Sequence, residues 1–288
     1  MKKYINYLIL IFILLFGFLI YVIFAPLNCS IQGEVVFKIE KGEGSKEISH
    51  NLQNQGFLLW APIFRAYTLL NGTSGKLQAG TYFISPSEQN MPSLIKKFAS
   101  GDVAKTRITI PEGFTALQIY ERLKNFVNID LSSLKEKEGF LFPDTYDIVY
   151  RTKGEEVIKM MTENFDKKVT VDLKTEIEKQ KKTLKDIVIM ASLIEKEVAT
   201  KEDKEIVSGI LWKRIKNNMP LQVDADMWTY KNKGLPEAPI CNPGLETIKA
   251  AIYPKDSPYW FYLSTPEGKT IFSKTYEEHV AAKEKYLK

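Results

Sequence analysis

The chain has 288 residues, 44% hydrophobic, 12% aromatic and 26% charged, with 40 Lys+Arg against 35 Asp+Glu. This is a globular composition, and it excludes disordered, collagen-like and disulfide-scaffold classes. The net charge of +5 includes Lys2 and Lys3, which precede a long apolar run. Nucleic-acid binding needs a clustered basic stripe. The densest basic group here, Lys179, Lys181 and Lys182, follows Glu176 and Glu178 and reads as a solvated helical face, so no nucleic-acid partner is expected. Two cysteines, Cys29 and Cys241, cannot make a disulfide framework, and the only histidines are His50 and His279. Without a CxxC or Cys/His spacing, no structural zinc, other metal or cofactor is expected. A histidine-dependent nucleophile has no GxSxG-type motif to work with.

Tyr4 to Phe24 is apolar or aromatic apart from Asn6 and Gly17. As a helix it spans roughly 31 Å, close to a bilayer's hydrocarbon core. Lys2 and Lys3 precede it and no Lys or Arg follows until Lys38. The positive-inside rule then puts residues 1–3 in the cytoplasm, and the rest on the outer, periplasmic face of the cell (inner) membrane. A cleaved signal peptide would have an overlong apolar region and no small-x-small site in Phe24-Ala-Pro-Leu-Asn-Cys29. Cys29 raises a lipoprotein alternative, but the residues before it are not small. A single uncleaved span over 4–24 is expected.

The next stretch repeats a β-turn-α pattern. Val35–Ile39 alternates as a strand, and Ser45 opens a helical run to Gly56. Pro62 to Leu70 is helical and ends at Asn71-Gly72. Thr81–Ile84 leads to a helix through Leu94, Ile95 and Phe98, stopped by Gly101. Arg107–Ile110 leads through Pro111-Glu-Gly113 to a helix opened by Thr115. Ser45 and Thr115 suit N-caps, and Gly56 and Gly101 suit helix stops. Such units suit small glycan-binding modules of the LysM kind, and a plain α+β packing domain is equally compatible. From Val157 helices dominate: 157–165, 173–198 and 205–215. Trp260–Leu263 and Thr270–Phe272 read as a hairpin across Thr265-Pro-Glu-Gly268, and a closing helix runs from Tyr276 to Leu287.

The chemistry-bearing candidates lie in this later part. Ile187–Ile194 is nearly apolar all round, the signature of a buried helix. It delivers Glu195-Lys-Glu197, and a carboxyl at the end of such a helix is a candidate for desolvation, which favours a proton-donating form. Glu195 and Glu197 stand about 200° apart on a helix, so only one can face a given cleft. The pair also suits an ordinary solvent-facing helix end. Met219-Pro-Leu-Gln-Val-Asp224-Ala-Asp226 sets acids in an apolar context, and Gly234–Gly244 is a Pro-stiffened loop suited to shaping a groove or simply to loop geometry.

Glu138-Gly-Phe-Leu-Phe-Pro-Asp-Thr-Tyr146, Ala191-Ser-Leu-Ile-Glu-Lys-Glu197, Leu221-Gln-Val-Asp224, Gly234-Leu-Pro, Asn242-Pro-Gly244 and Ala250-Ala-Ile-Tyr-Pro254 together resemble the endolytic murein transglycosylase (YceG-like) family. The resemblance covers nearly the whole chain, and several ordered motifs make it specific. It implies an α+β protein with a single transmembrane helix (4–24), a LysM-like β/α module (31–105), and a mainly helical catalytic domain with a β-hairpin (106–288). It implies that Glu197 is the catalytic acid/base, and Gln222, Asp224 and Asn242 are assigned to substrate binding. The implied reaction is non-hydrolytic cleavage of the MurNAc–GlcNAc bond of peptidoglycan, giving a 1,6-anhydro end and terminating nascent strands. A single carboxylate suffices when the nucleophile is the sugar's own hydroxyl. Glycan strands, the membrane and cell-wall synthesis proteins are the expected partners. A silent glycan-binding scaffold and a muramidase-type hydrolase remain the alternatives. The chain departs from the family pattern at Lys213, where Asn is usual, at Asp226, where Thr is usual, and in a shortened stretch before Gly234.

Overall fold

The computed structural model describes residues 2–24, 33–85, 88, 90–150 and 152–287. Cys29 lies outside them. Helix α1 (Lys2–Phe24) opens the chain, and its Tyr7–Phe24 stretch has a mean hydropathy of 3.0. Apolar side chains such as Leu8, Phe12 and Phe16 are exposed along it.

The chain divides into two compact units, residues 1–106 and 107–288. In the first, β1 (Val35–Ile39) pairs antiparallel with β2 (Gly80–Ile84), with Phe37 opposite Tyr82. Phe37 and Ile39 are buried while Val36 and Lys38 are exposed, the alternation of a strand with one face on a core. Two helices, α2 (Ser45–Asn54) and α3 (Ala61–Leu70), lie between the strands in sequence and pack on each other; α4 (Met91–Ser100) follows β2. Ile48, Leu52, Phe64, Leu94 and Phe98 close this core with Phe37 and Tyr82. Gly101 ends α4 at φ 67°, and Gly56 follows α2 at φ 79°, conformations that glycine adopts without a Cβ penalty. The N-cap of α2 is Gly44, not Ser45. Glu47 Oε2 accepts from the Gly44 N–H at 3.0 Å, so the helix is capped by this single bond one residue earlier than a hydroxyl cap suggests.

The second unit holds two cores. One gathers Ile108, Ile110, Ile119, Leu123, Leu141, Ile148, Val157 and Met161 around β3 (Lys105–Thr109), α5 (Ala116–Leu123), α6 (Leu131–Lys135), β4 (Thr145–Val149) and α7 (Gly154–Lys168). Strand β3 pairs with β4, so the third β-turn-α unit of the sequence does not extend the preceding repeats. Arg107 meets Asp147 through two bonds (2.9 and 3.2 Å), and the Thr109 and Thr145 hydroxyls are 2.9 Å apart.

The other core surrounds α9 (Leu184–Glu197), which packs against α8 (Val171–Lys179), α10 (Lys201–Lys216) and α12 (Leu245–Ile252). The expected single helix 173–198 is in fact α8 and α9. Lys181 adopts φ 56°, and Thr183 starts α9 anew with Asp186 in a capping box. Thr183 Oγ1 accepts from the Asp186 N–H at 3.0 Å and Asp186 Oδ2 from the Thr183 N–H at 2.9 Å. After the one-turn helix α11 (Trp228–Lys231) and α12 come the antiparallel hairpin β5 (Phe261–Ser264) and β6 (Thr270–Ser273), then α13 (Tyr276–Tyr286).

Candidate active site

Ile187 to Ile194 are all buried, so α9 is enclosed on every face and its end is fixed by packing rather than by solvent. Val198 leaves the helix in an extended conformation (φ −142°, ψ 148°), which terminates it just beyond Glu197. The Glu197 backbone carbonyl accepts from Ser264 Oγ at 2.9 Å, tying the helix end to β5.

The Glu197 carboxyl opens into a cavity of about 550 Å³ lined also by Arg214, Gln222, Asp224, Tyr230 and Tyr262. Burial raises the Glu197 pKa above the usual carboxylate value, and the Asp224 charge pushes the same way. The Ala225 N–H, 3.4 Å from Oε1, opposes both. Asp224 is exposed and accepts from the Tyr230 hydroxyl. Burial, that bond and the nearby charges lift the Tyr230 phenol to about 12, so it stays a donor.

Arg214 builds the wall. Its Nε donates to the Trp260 carbonyl (3.0 Å), and Nη1 donates to the carbonyls of Leu221 (2.9 Å) and Pro220 (3.3 Å) and to Gln222 Oε1 (3.1 Å). Its guanidinium sits over the Phe261 ring, 5.0 Å from the centroid. Burial lowers its pKa from the ordinary value, and its neutral acceptors leave the charge without a carboxylate partner among the described residues. One side chain therefore fixes the loop before α11 to the hairpin. Gln222 sits at φ 55° within that loop, an unusual conformation for a residue with a Cβ.

Glu195 points elsewhere, as the 200° offset requires. It is nearly buried, pairs with Lys204 at 3.4 Å, and accepts from the Gly244 N–H at 3.1 Å and from the Thr247 hydroxyl. It braces α9 against α10 and α12.

The structure brings Glu197, Gln222 and Asp224 to one cavity, and it does not bring Asn242 there. Asn242 is wholly buried. Its Oδ1 accepts from the N–H groups of Gly139 (2.8 Å) and Leu141 (2.9 Å), and its Nδ2 donates to the Phe114 carbonyl (2.9 Å) and Glu138 Oε1 (2.7 Å). Every side-chain hydrogen-bonding position is used, so Asn242 joins the 138–146 and 242–244 segments from within. Glu138 is itself desolvated, its pKa raised by burial against the Ala116 N–H. Of the two departures from the family pattern, Lys213 donates to the Ser257 carbonyl (2.8 Å) over the Trp260 ring. Asp226 accepts from the Trp228 N–H (3.0 Å) at the start of α11. Neither lines the cavity.

Tyr230, Tyr262 and His279 were missed as cavity residues. Hairpin and helix patterning identifies an inward face but not which inward side chains meet a cavity. Cys241 is buried, its thiol pushed up to about 12, and His279 stacks on Phe261 with centroids 5.3 Å apart. Among the described residues no three His, Cys, Asp or Glu side chains gather as a metal site.

The chain is similar to an endolytic murein transglycosylase from Bacillus subtilis, 28% identical over 91% of this chain and 87% of that protein. It is 25% identical to an endolytic murein transglycosylase from Streptococcus pneumoniae R6, over 88% of this chain, and spans 58% of that longer protein. A crystal structure of a yceG-like protein from Listeria monocytogenes superimposes with a TM-score of 0.54 at 27% identity, covering 88% of this chain and all of that one. The model of the YceG-like family matches residues 37–228 and 226–285, essentially everything after α1, and the chain belongs to that family.

Proposed function

We propose that this chain is a membrane-anchored endolytic murein transglycosylase that uses Glu197 as its single acid/base. The observation that carries the reading is a carboxyl whose pKa is raised by burial, at the end of an enclosed helix and opening into a polar cavity. The protonated Glu197 donates to the oxygen of the MurNAc–GlcNAc bond, and the C1–O electron pair leaves with that oxygen. The 6-hydroxyl of the same MurNAc then closes onto C1 and returns its proton to Glu197. No water is consumed, and the product is a 1,6-anhydro end. Gln222 and Asp224 orient the sugar, and Arg214 fixes the wall from which they project.

The length and exposed apolar surface of α1 support a single span with the N-terminus in the cytoplasm. A β–α–α–β unit with its own core supports a LysM-like glycan-engaging role for residues 31–105, leaving 106–288 as the catalytic domain. An enzyme so tethered meets strands near the membrane, where it would terminate their growth alongside the cell-wall synthesis proteins. Asn242 serves as a brace for the groove.

Incubating the protein with peptidoglycan and examining the fragments by mass spectrometry tests the reading: anhydro ends are expected, and Glu197→Gln lowers their yield by roughly 10²–10⁴-fold. The Asp224 carboxyl beside Glu197 favours one second reading, a hydrolase in which Asp224 activates water. Reducing ends in place of anhydro ends would establish that one instead.

A further inference from the structure

The phenol of Tyr262 is buried in the wall of the Glu197 cavity, and its oxygen makes no well-aligned hydrogen bond. Buried tyrosine hydroxyls ordinarily find a partner. The charged groups that influence this one are Glu197, Arg214 and Asp224. Two of the neighbouring donors are otherwise engaged. Arg214 is taken by three carbonyls and Gln222, and Tyr230 by Asp224. From α13, Tyr276 and His279 lie against Phe261, the His279 Nδ1 being itself without a hydrogen-bond partner among the described residues, while Lys283 and, on α9 itself, Lys196 are exposed at the rim. Tyr262 is thus the buried phenol coupled to the Glu197 carboxyl, with no other partner among the described residues.

We propose that Tyr262 is a positioning residue for Glu197: its O–H closes onto the carboxylate formed when Glu197 gives its proton to the leaving oxygen, and holds that carboxylate oriented to take the proton back from the sugar's 6-hydroxyl. The inference rests on the reading of Glu197 as acid/base. Tyr262 itself keeps its proton throughout, because burial holds the phenol well above its usual range. The proton that moves is that of Glu197. The bond to the charged form lowers the Glu197 pKa and so moderates the rise that burial imposes.

The test follows the Glu197 carboxyl directly by ¹³C NMR titration of side-chain-labelled full-length protein in detergent, with the signal assigned by its loss in Glu197→Gln. Tyr262→Phe should move the titration to higher pH and shift the descending limb of the pH–rate profile the same way. The maximal rate should fall about ten- to a hundredfold, the range for a hydrogen bond to a charged group. Thermal stability should not fall, since the hydroxyl has no well-made bond to lose. Tyr259→Phe, altering a ring stacked on Phe272, should change none of these. If Tyr262→Phe fails to fold, 3-fluorotyrosine at the same position keeps the shape and donates more strongly, and the titration should move down. An unmoved Glu197 titration in either variant overturns the proposal, as does a loss of stability without that shift. Because the titration needs no turnover, a wild-type protein that yields no anhydro ends would overturn the proposed function while still reporting on the Tyr262–Glu197 bond.

Discussion

Replacing Glu195 by Gln isolates what the other glutamate of the Glu-Lys-Glu motif does. The Glu195 side chain is 9% exposed and its Lys204 partner 4%, so neither charge has water to fall back on. An amide can still accept from Gly244 and contact Thr247, but it takes away the carboxylate paired with the buried Lys204 ammonium and leaves, among the described residues, only the unpaired Glu112 nearby. Breaking a buried pair from one side costs about 3–5 kcal/mol. For a unit the size of residues 107–288 each kcal/mol shifts the midpoint by about 2–4 °C, giving a fall in Tm of roughly 6–20 °C. Calorimetry or circular dichroism on the full chain in detergent reads this. The double variant Glu195→Met/Lys204→Met should recover most of the loss, because removing both charges removes the orphan. Anhydro-end formation well below the midpoint should survive in Glu195→Gln and not in Glu197→Gln. A midpoint within about 2 °C of wild type, or a double variant as unstable as the single one, would refute the bracing role.

Asn242→Ala strands two buried N–H groups, a carbonyl and the Glu138 carboxyl, and should cost at least ~3 kcal/mol in denaturant unfolding. Gly209→Ala puts a Cβ 2.1 Å from the Lys255 carbonyl oxygen; backbone must move, and a loss of about 1–3 kcal/mol is expected in thermal melts. The pH dependence follows from the raised Glu197 pKa. Activity needs the protonated acid and should decline as pH rises through that raised value. The stability contributed by keeping this group neutral is full below the ordinary carboxylate value of 4.5 and is lost as pH climbs through the folded-state value. Unfolding free energies across this range should therefore decline more in wild type than in Glu197→Gln.

Several features were legible because one physical pattern dominates them. The apolar run of α1 and the enclosed 187–194 segment carry their burial in composition alone. The Thr115 cap works as its side chain suggests, accepting from the Gln118 N–H at 3.2 Å. The break between α8 and α9 was not legible, because no glycine or proline marks it. A lysine takes the left-handed turn, and the capping box of Thr183 and Asp186 falls within an otherwise helical pattern. The β3–β4 pairing depends on a partner 36 residues along the chain in the Thr109–Thr145 contact, which local periodicity does not encode. In the site, Glu197, Gln222 and Asp224 share short motifs that converge on the cavity. Asn242 belongs to a motif of the same appearance, and only its four internal bonds reveal that it serves packing.

The buried Arg214 charge has an electrostatic consequence. Its acceptors are neutral, so the guanidinium projects a standing positive potential into the cavity. It is walled off from solvent, and dissolved ions screen buried charge far less than exposed charge. Lys196 and Lys283 at the rim are exposed and screen readily. Ionic strength therefore tunes the contributions of the rim lysines and of the exposed Asp224, while the Arg214 contribution to the cavity stays nearly constant.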